Sequence, residues 1–155
     1  MPDDSAAKSF PVTTVLLRCA AVLWVIWGLV HVLAGFMTIS QDTPQAIQTI
    51  ADAVDPATLE MIYPDAAGAI VNQHGFNLLW IGAVTTICAP FVWMRRRSAI
   101  VLAALVAGLA DLGYFLFLDL GGHVNFVPGT VMTIICAAAI ICSAIAWRLS
   151  PQPSR

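Results

Sequence analysis

Histidine and aspartate side chains that interrupt or flank long apolar segments are the groups in this sequence best suited to chemistry. His31 and Asp111 lie inside such segments, and His74, Asp119 and His123 lie at or just beyond segment ends. An ionisable group inside a bilayer costs about 2.5–3.5 kcal/mol on insertion scales, so it usually faces the protein interior and has a function. These residues therefore indicate a polar site within a membrane domain.

Two kinds of chemistry fit this set of side chains. A His31–Asp111 pair would fix the imidazole tautomer and could couple a ligand to protons. Three histidines with a carboxylate would also suit zinc or copper, with His31, His74, His123 and Asp111 as tentative metal ligands. The chain has no HExxH motif, so each ligand would have to come from a different helix. Haem held by His31 and His74 is a further variant, although the estimated depths of these two histidines differ.

Four apolar segments must position these residues. They run from about 12 to 38, 72 to 94, 98 to 120 and 128 to 149. Each has the roughly 20 residues that a membrane-spanning helix requires. The chain is 59% hydrophobic and 10% charged, whereas soluble domains carry about 25% charged residues. The sequence predicts an all-α, four-helix transmembrane bundle that forms a single membrane domain over residues 1–155.

The basic residues fix the expected orientation. All of them flank or follow the spans on one side, which the positive-inside rule assigns to the cytoplasm. We expect an inner (cell) membrane protein with cytoplasmic N- and C-termini. Basic residues that are few and confined to membrane boundaries also argue against nucleic-acid binding. The residues are Lys8, Arg18, Arg95, Arg96, Arg97, Arg148 and Arg155.

The segment 39–71 is predicted to be an outer loop that contains short helices. Thr43 and Pro44 are a suitable N-cap and first residue for a helix through TPQAIQTIADAV, and Asp55 and Pro56 offer the same start for PATLEMIY. The first of these has an apolar stripe at helical spacing. This segment is interpreted either as a lid over the bundle or as a plain interfacial connector.

Polar side chains from all four spans gather at the predicted outer end of the bundle. A rise of ~1.5 Å per residue gives His31 and Asp111 similar depths in the outer half. Each residue also has a structural explanation, such as a hydrogen bond to a neighbouring helix or a solvated boundary position. The candidate pocket residues are His31, His74, Asn77, Asp111, Tyr114 and Asp119.

Three hypotheses about function follow from this pattern. The first is a membrane protein that binds or transports a small molecule or lipid-like ligand through an outward-facing polar pocket. The second is a metal-dependent membrane enzyme or metal-binding subunit. The third is a structural subunit of a membrane complex. The expected partners are the lipid bilayer, a small-molecule ligand, and further copies of the chain or other subunits.

Overall fold

Four long apolar helices make up the body of the protein in a computed structural model that describes residues 4–51 and 56–150. They are α1 (Asp4–Ser40), α3 (Asp65–Trp93), α4 (Arg97–Tyr114) and α5 (Val131–Leu149). Each of the four, with the turns that extend α4 and α5, is long and apolar enough to cross a membrane. The described residues contain no strand. The predicted all-α, four-helix transmembrane bundle is confirmed.

The loop between the first two spans is shorter than predicted. Helix α1 continues to Ser40, and α3 begins at Asp65 rather than near Asn72. The sequence estimate was wrong because Asn72, Gln73 and His74 lower the local hydropathy without ending the helix. Asp65 lies in the first turn of α3, where a carboxylate interacts favourably with the helix dipole.

A short helix, α2 (Thr43–Ala51), follows α1. It confirms the predicted amphipathic helix as far as Ala51, and the rest of that prediction lies outside the described residues. The N-cap differs from the prediction, because the Asp42 carboxylate accepts a hydrogen bond of 3.1 Å from the backbone N–H of Gln45. A carboxylate accepts such a bond as well as a hydroxyl does.

The second predicted loop helix, over PATLEMIY, does not form. Only a single 3₁₀ turn is present, over Pro56–Leu59, and the chain is not helical from Met61 to Pro64. Pro64 explains part of this difference, because a proline disfavours helical conformation in the residue before it, here Tyr63.

Helices α3 and α4 form a tight hairpin at the three consecutive arginines. Arg95 adopts a left-handed conformation with φ of 62°, and its guanidinium donates a hydrogen bond to the hydroxyl of Thr14 on α1. The turn is thereby attached to the first helix. We call this side of the bundle, with Arg18, Arg95–Arg97 and Arg148, the arginine end, and the opposite side the α2 end.

Helices α1 and α3 are in backbone contact along a line of small residues, which we call the glycine seam. Gly28 faces Gly82 and Gly35 faces Gly75. A Cβ added at Gly82 would lie 2.5 Å from the carbonyl oxygen of Gly28, and one at Gly35 would lie 2.5 Å from that of Gly75. Small residues allow such close approach in membrane bundles, where packing replaces the hydrophobic effect.

The spacing of the seam shows a regular pattern. On α3, Gly68, Gly75, Gly82 and Ala89 recur every seven residues, and on α1 Ala21, Gly28 and Gly35 do the same. A seven-residue repeat keeps one face of a helix directed at its partner. The seven-residue spacing of Gly28 and Gly35 is visible in the sequence, although the chain has no strict GxxxG motif.

The interior contains small residues around two large ones. Trp24 and Trp27 on α1 are fully buried, as are Ala103 and Ala107 on α4 and Ala139 on α5. Large aliphatic and aromatic side chains lie on the outside instead, for example Leu33, Leu109 and Ile141. An apolar exterior around a close-packed interior of small residues matches a bundle surrounded by lipid.

Candidate functional site: a polar cavity beneath α2

A cavity with two lobes lies between the helices toward the α2 end. The smaller lobe has a volume of about 80 Å³, and the larger one has a volume of about 360 Å³. His31, His74, Leu78, Asp111 and Tyr114 line both lobes, so the two are adjacent. Side chains from α1, α3 and α4 therefore share one space.

The walls of the two lobes differ. Thr49 and Ile50 of α2 and Met132 of α5 close the smaller lobe. Asn77 and Leu118 belong to the larger lobe. Helix α2 lies in the segment interpreted from the sequence as a lid or a connector, and it therefore forms part of the cavity wall.

Trp27 organises the polar groups at the base of the cavity. Its indole Nε1–H donates a hydrogen bond of 3.1 Å to Oδ1 of Asp111, and its ring stacks on the imidazole of His31 with the centroids 3.6 Å apart. The indole is completely buried. One side chain of α1 therefore positions both the histidine and the aspartate.

The hydrogen bond made by His31 defines its tautomer. Nδ1 lies 2.7 Å from the carbonyl oxygen of Trp27. A carbonyl can only accept, so Nδ1 carries the proton and Nε2 of a neutral ring has a free lone pair. His31 can thus offer a hydrogen-bond acceptor to a molecule in the cavity.

Asp111 is a carboxylate with only 5% of its surface exposed. It accepts a hydrogen bond from Trp27, and the thiol of Cys136 on α5 lies close to it. Among the described residues no cationic side chain pairs with it, since the described arginines lie at the arginine end. A carboxylate in apolar surroundings must be neutralised either by a proton or by a cation.

The predicted direct pair between His31 and Asp111 is wrong in detail. Both side chains line the cavity at similar depth, as expected, but the carboxylate accepts a hydrogen bond from Trp27, and the imidazole bonds to a backbone carbonyl. Trp27, and not His31, is the hydrogen-bond partner of Asp111, because it lies one turn before His31 on the same face of α1.

The remaining polar groups of the cavity lie in its wider part. His74 and Asn77 lie on the third and fourth turns of α3, and His74 is exposed. Trp80 Nε1–H donates a hydrogen bond of 3.1 Å to Oδ1 of Asn77. Because the oxygen is occupied, the NH₂ group of Asn77 is the part available to a ligand as a donor.

Asp119 does not line the cavity, contrary to the prediction. Its carboxylate accepts hydrogen bonds from the hydroxyls of Thr130, at 2.6 Å, and Thr133, at 3.0 Å. These bonds join the end of α4 to the start of α5, across a turn in which Val127 is extended and Phe126–Thr130 has π-helical hydrogen bonding. Asp119 therefore connects two helices.

The predicted zinc or copper site gains no support from the geometry. In the part of the chain that the structure describes, no three histidine, cysteine, aspartate or glutamate side chains come close enough together to hold a metal ion. His123 is exposed in the turn after Asp119 and does not line the cavity with His31, His74 and Asp111. Haem ligation by His31 and His74 stays a prediction that no further observation favours.

Sequence reasoning missed two residues of the site. These residues are Trp27 and Cys136, whose side-chain types inside apolar spans are most often explained by packing. The signal for Trp27 was its position four residues before His31, and the signal for Cys136 was its position four residues after Met132 on the inward face of α5. Neither signal is specific, because aromatic and thiol side chains pack in bundles without polar partners.

These helices define a small multi-pass membrane protein. Comparison with known proteins adds no relative: no family model, no curated protein and no solved structure matches the chain.

Proposed function

We propose that this protein binds a small amphiphilic molecule within the membrane and recognises its polar head group through Asp111 and His31. The observation that carries the proposal is a buried carboxylate, without a cationic partner among the described residues, at the base of a cavity. Intramembrane carboxylates of this kind commonly mark ligand or ion sites.

The chemistry of the cavity favours a cationic, hydrogen-bond-donating head group. Asp111 supplies negative charge, and Nε2 of His31 supplies an acceptor. An ammonium group would provide the counter-charge that the carboxylate lacks. The aromatic side chain of Tyr114, which lines both lobes, adds a surface of the kind on which cations bind favourably.

The size and apolar walls of the cavity suit a short hydrocarbon body. The larger lobe, about 360 Å³, lies within the range of roughly 300–1,000 Å³ typical of ligand pockets. Leu78, Ile81 and Leu118 contribute apolar surface there. The ligand class is therefore a small amine with an aliphatic or aromatic tail.

Three probes with the same tail and different head groups test this proposal. Hexylamine, hexanol and hexanoate are added to the detergent-purified protein, and the unfolding temperature is measured. We expect hexylamine to raise it most and hexanoate not at all, because a ligand stabilises the folded state in proportion to its binding. The variant Asp111→Asn should lose the response to hexylamine.

Asp119→Asn is the matched control, since it removes a carboxylate of the same chain segment outside the cavity. It should keep the response to hexylamine. Equal stabilisation by all three probes, or a response that survives in Asp111→Asn, would show that Asp111 does not recognise the head group. No response to any probe in the wild-type protein would remove the amine proposal and favour the structural-subunit hypothesis.

We further propose that the protein lies in the inner membrane with both termini in the cytoplasm and the α2 end outside. The distribution of arginines supports this orientation. A C-terminal green fluorescent protein fusion should be fluorescent, and a C-terminal alkaline phosphatase fusion should be inactive. The opposite pair of results would invert the orientation and place the cavity toward the cytoplasm.

A further inference from the structure

A second, separate cavity lies at the arginine end of the glycine seam. It is a groove of about 510 Å³ between α1 and α3. Val22, Val25 and Ile26 form one wall, and Pro90, Trp93 and Met94 form the other. Every residue of this lining is apolar, unlike the lining of the cavity beneath α2.

The small residues of the seam explain why a groove exists here. Ala21 and Ala89 form its floor and are buried. They continue the repeats of Gly28 with Gly35 and of Gly75 with Gly82. Two backbones that approach across alanines leave a depression between the larger side chains on either side. Val22 and Trp93, which rim it, are 50% and 47% exposed, so the groove opens to the surrounding bilayer.

A positively charged side chain, that of Arg18, lies at the mouth of this groove. Arg18 precedes the groove residues of α1 by about one turn, and its guanidinium lies 5.1 Å from the centroid of the Trp93 ring. Among the described residues no carboxylate pairs with Arg18. The adjoining turn contributes Arg95, Arg96 and Arg97, all exposed. An apolar groove therefore leads directly to the guanidinium of Arg18.

We propose that this groove binds an anionic phospholipid, with an acyl chain between α1 and α3 and the lipid phosphate on Arg18. The two parts of the site match the two parts of such a molecule. An apolar groove accepts hydrocarbon, and a guanidinium forms strong charge-assisted hydrogen bonds with phosphate oxygens. Basic pockets between transmembrane helices recognise anionic head groups in this way.

Native mass spectrometry of the full-length, detergent-purified protein tests the site. Phosphatidylglycerol and phosphatidylcholine with identical acyl chains are added at equal concentration. We expect about five-fold more bound phosphatidylglycerol, the ratio that corresponds to one basic residue near anionic lipid. Arg18→Gln should bring the two lipids to equal occupancy. Arg148→Gln, which removes an arginine of the same end from α5, should keep the preference.

A second pair of variants tests the acyl-chain part. Val22→Trp fills the groove and should lower the occupancy of both lipids. Ile145→Trp places the same side chain on an exposed position of α5 and should not. The proposal is overturned if phosphatidylglycerol has no preference, if Arg148→Gln lowers the preference as much as Arg18→Gln, or if Val22→Trp binds lipid like the wild type. A dimer mass without bound lipid would assign the groove to a second copy of the chain instead.

Discussion

Replacing Gly82 by alanine should destabilise the protein by about 1–3 kcal/mol, the usual cost of overpacking a close interface. The added methyl group would lie 2.5 Å from the carbonyl oxygen of Gly28 and 2.7 Å from the backbone nitrogen of Val32. Both obstacles are backbone atoms, so no side chain can rotate away. Helices α1 and α3 would have to separate, and the contact along the glycine seam would weaken.

Gly113→Ala is the matched control for this prediction. A Cβ at Gly113 would meet nothing within 4 Å, and alanine favours the helix by up to about 1 kcal/mol over glycine. The unfolding temperature of the detergent-purified protein, followed by the loss of helical circular dichroism, gives the comparison. Equal stability of the two variants would mean that backbone contact at the seam does not hold α1 against α3.

The variant Trp27→Phe should be less stable than Trp24→Phe by about 1.5–3 kcal/mol, the value of a hydrogen bond to a charged group. Both tryptophans are fully buried on α1 and would lose the same ring volume. They differ in their polar atom: the Nε1–H of Trp27 donates to Asp111, whereas that of Trp24 has no partner among the described residues. The difference between the variants therefore isolates the hydrogen bond.

The same pair of variants separates an effect on folding stability from an effect on ligand binding. Trp27→Phe keeps an aromatic ring against His31 but releases Asp111 from its donor, so the response to hexylamine should weaken. Trp24→Phe removes an unsatisfied donor from the interior and should leave that response intact. Unfolding in detergent with increasing sodium dodecyl sulfate measures the stability. If Trp24→Phe were the less stable variant, ring packing would outweigh the bond to Asp111.

The sequence predicts the depth of His31 and Asp111 well, because hydropathy locates the ends of the spans and helical rise converts residue number into depth. It also predicts that these residues approach His74, Asn77 and Tyr114, since polar side chains inside a bundle avoid lipid. The depth of a residue in the membrane does not determine which atoms form hydrogen bonds with it. Trp27 donates to Asp111, and Cys136 lies close to it, because of the rotation of α1 and α5 about their own axes, which hydropathy does not specify.

Asp119 and the start of α3 illustrate two other reasons why sequence reasoning fell short. Asp119 has the right spacing to extend the polar face of α4, but the two threonines of α5 bind it first. The extension of α3 back to Asp65 is separated from the apolar span by Asn72, Gln73 and His74, which lower the local hydropathy without ending the helix. Hydropathy alone therefore does not predict either outcome.

The glycine seam also constrains how the cavity can open. Backbones that pack directly against each other at small residues spaced seven apart cannot slide by a fraction of that interval without collision, so α1 and α3 form a rigid frame that carries His31 and His74. Asp111 is on α4, where a Cβ added at Gly108 would meet only a side-chain atom of Ile140 and one added at Gly113 would meet nothing within 4 Å. We expect a ligand to enter when α4 or α2 hinges away from this frame. The distance between Asp111 and the two histidines would then change.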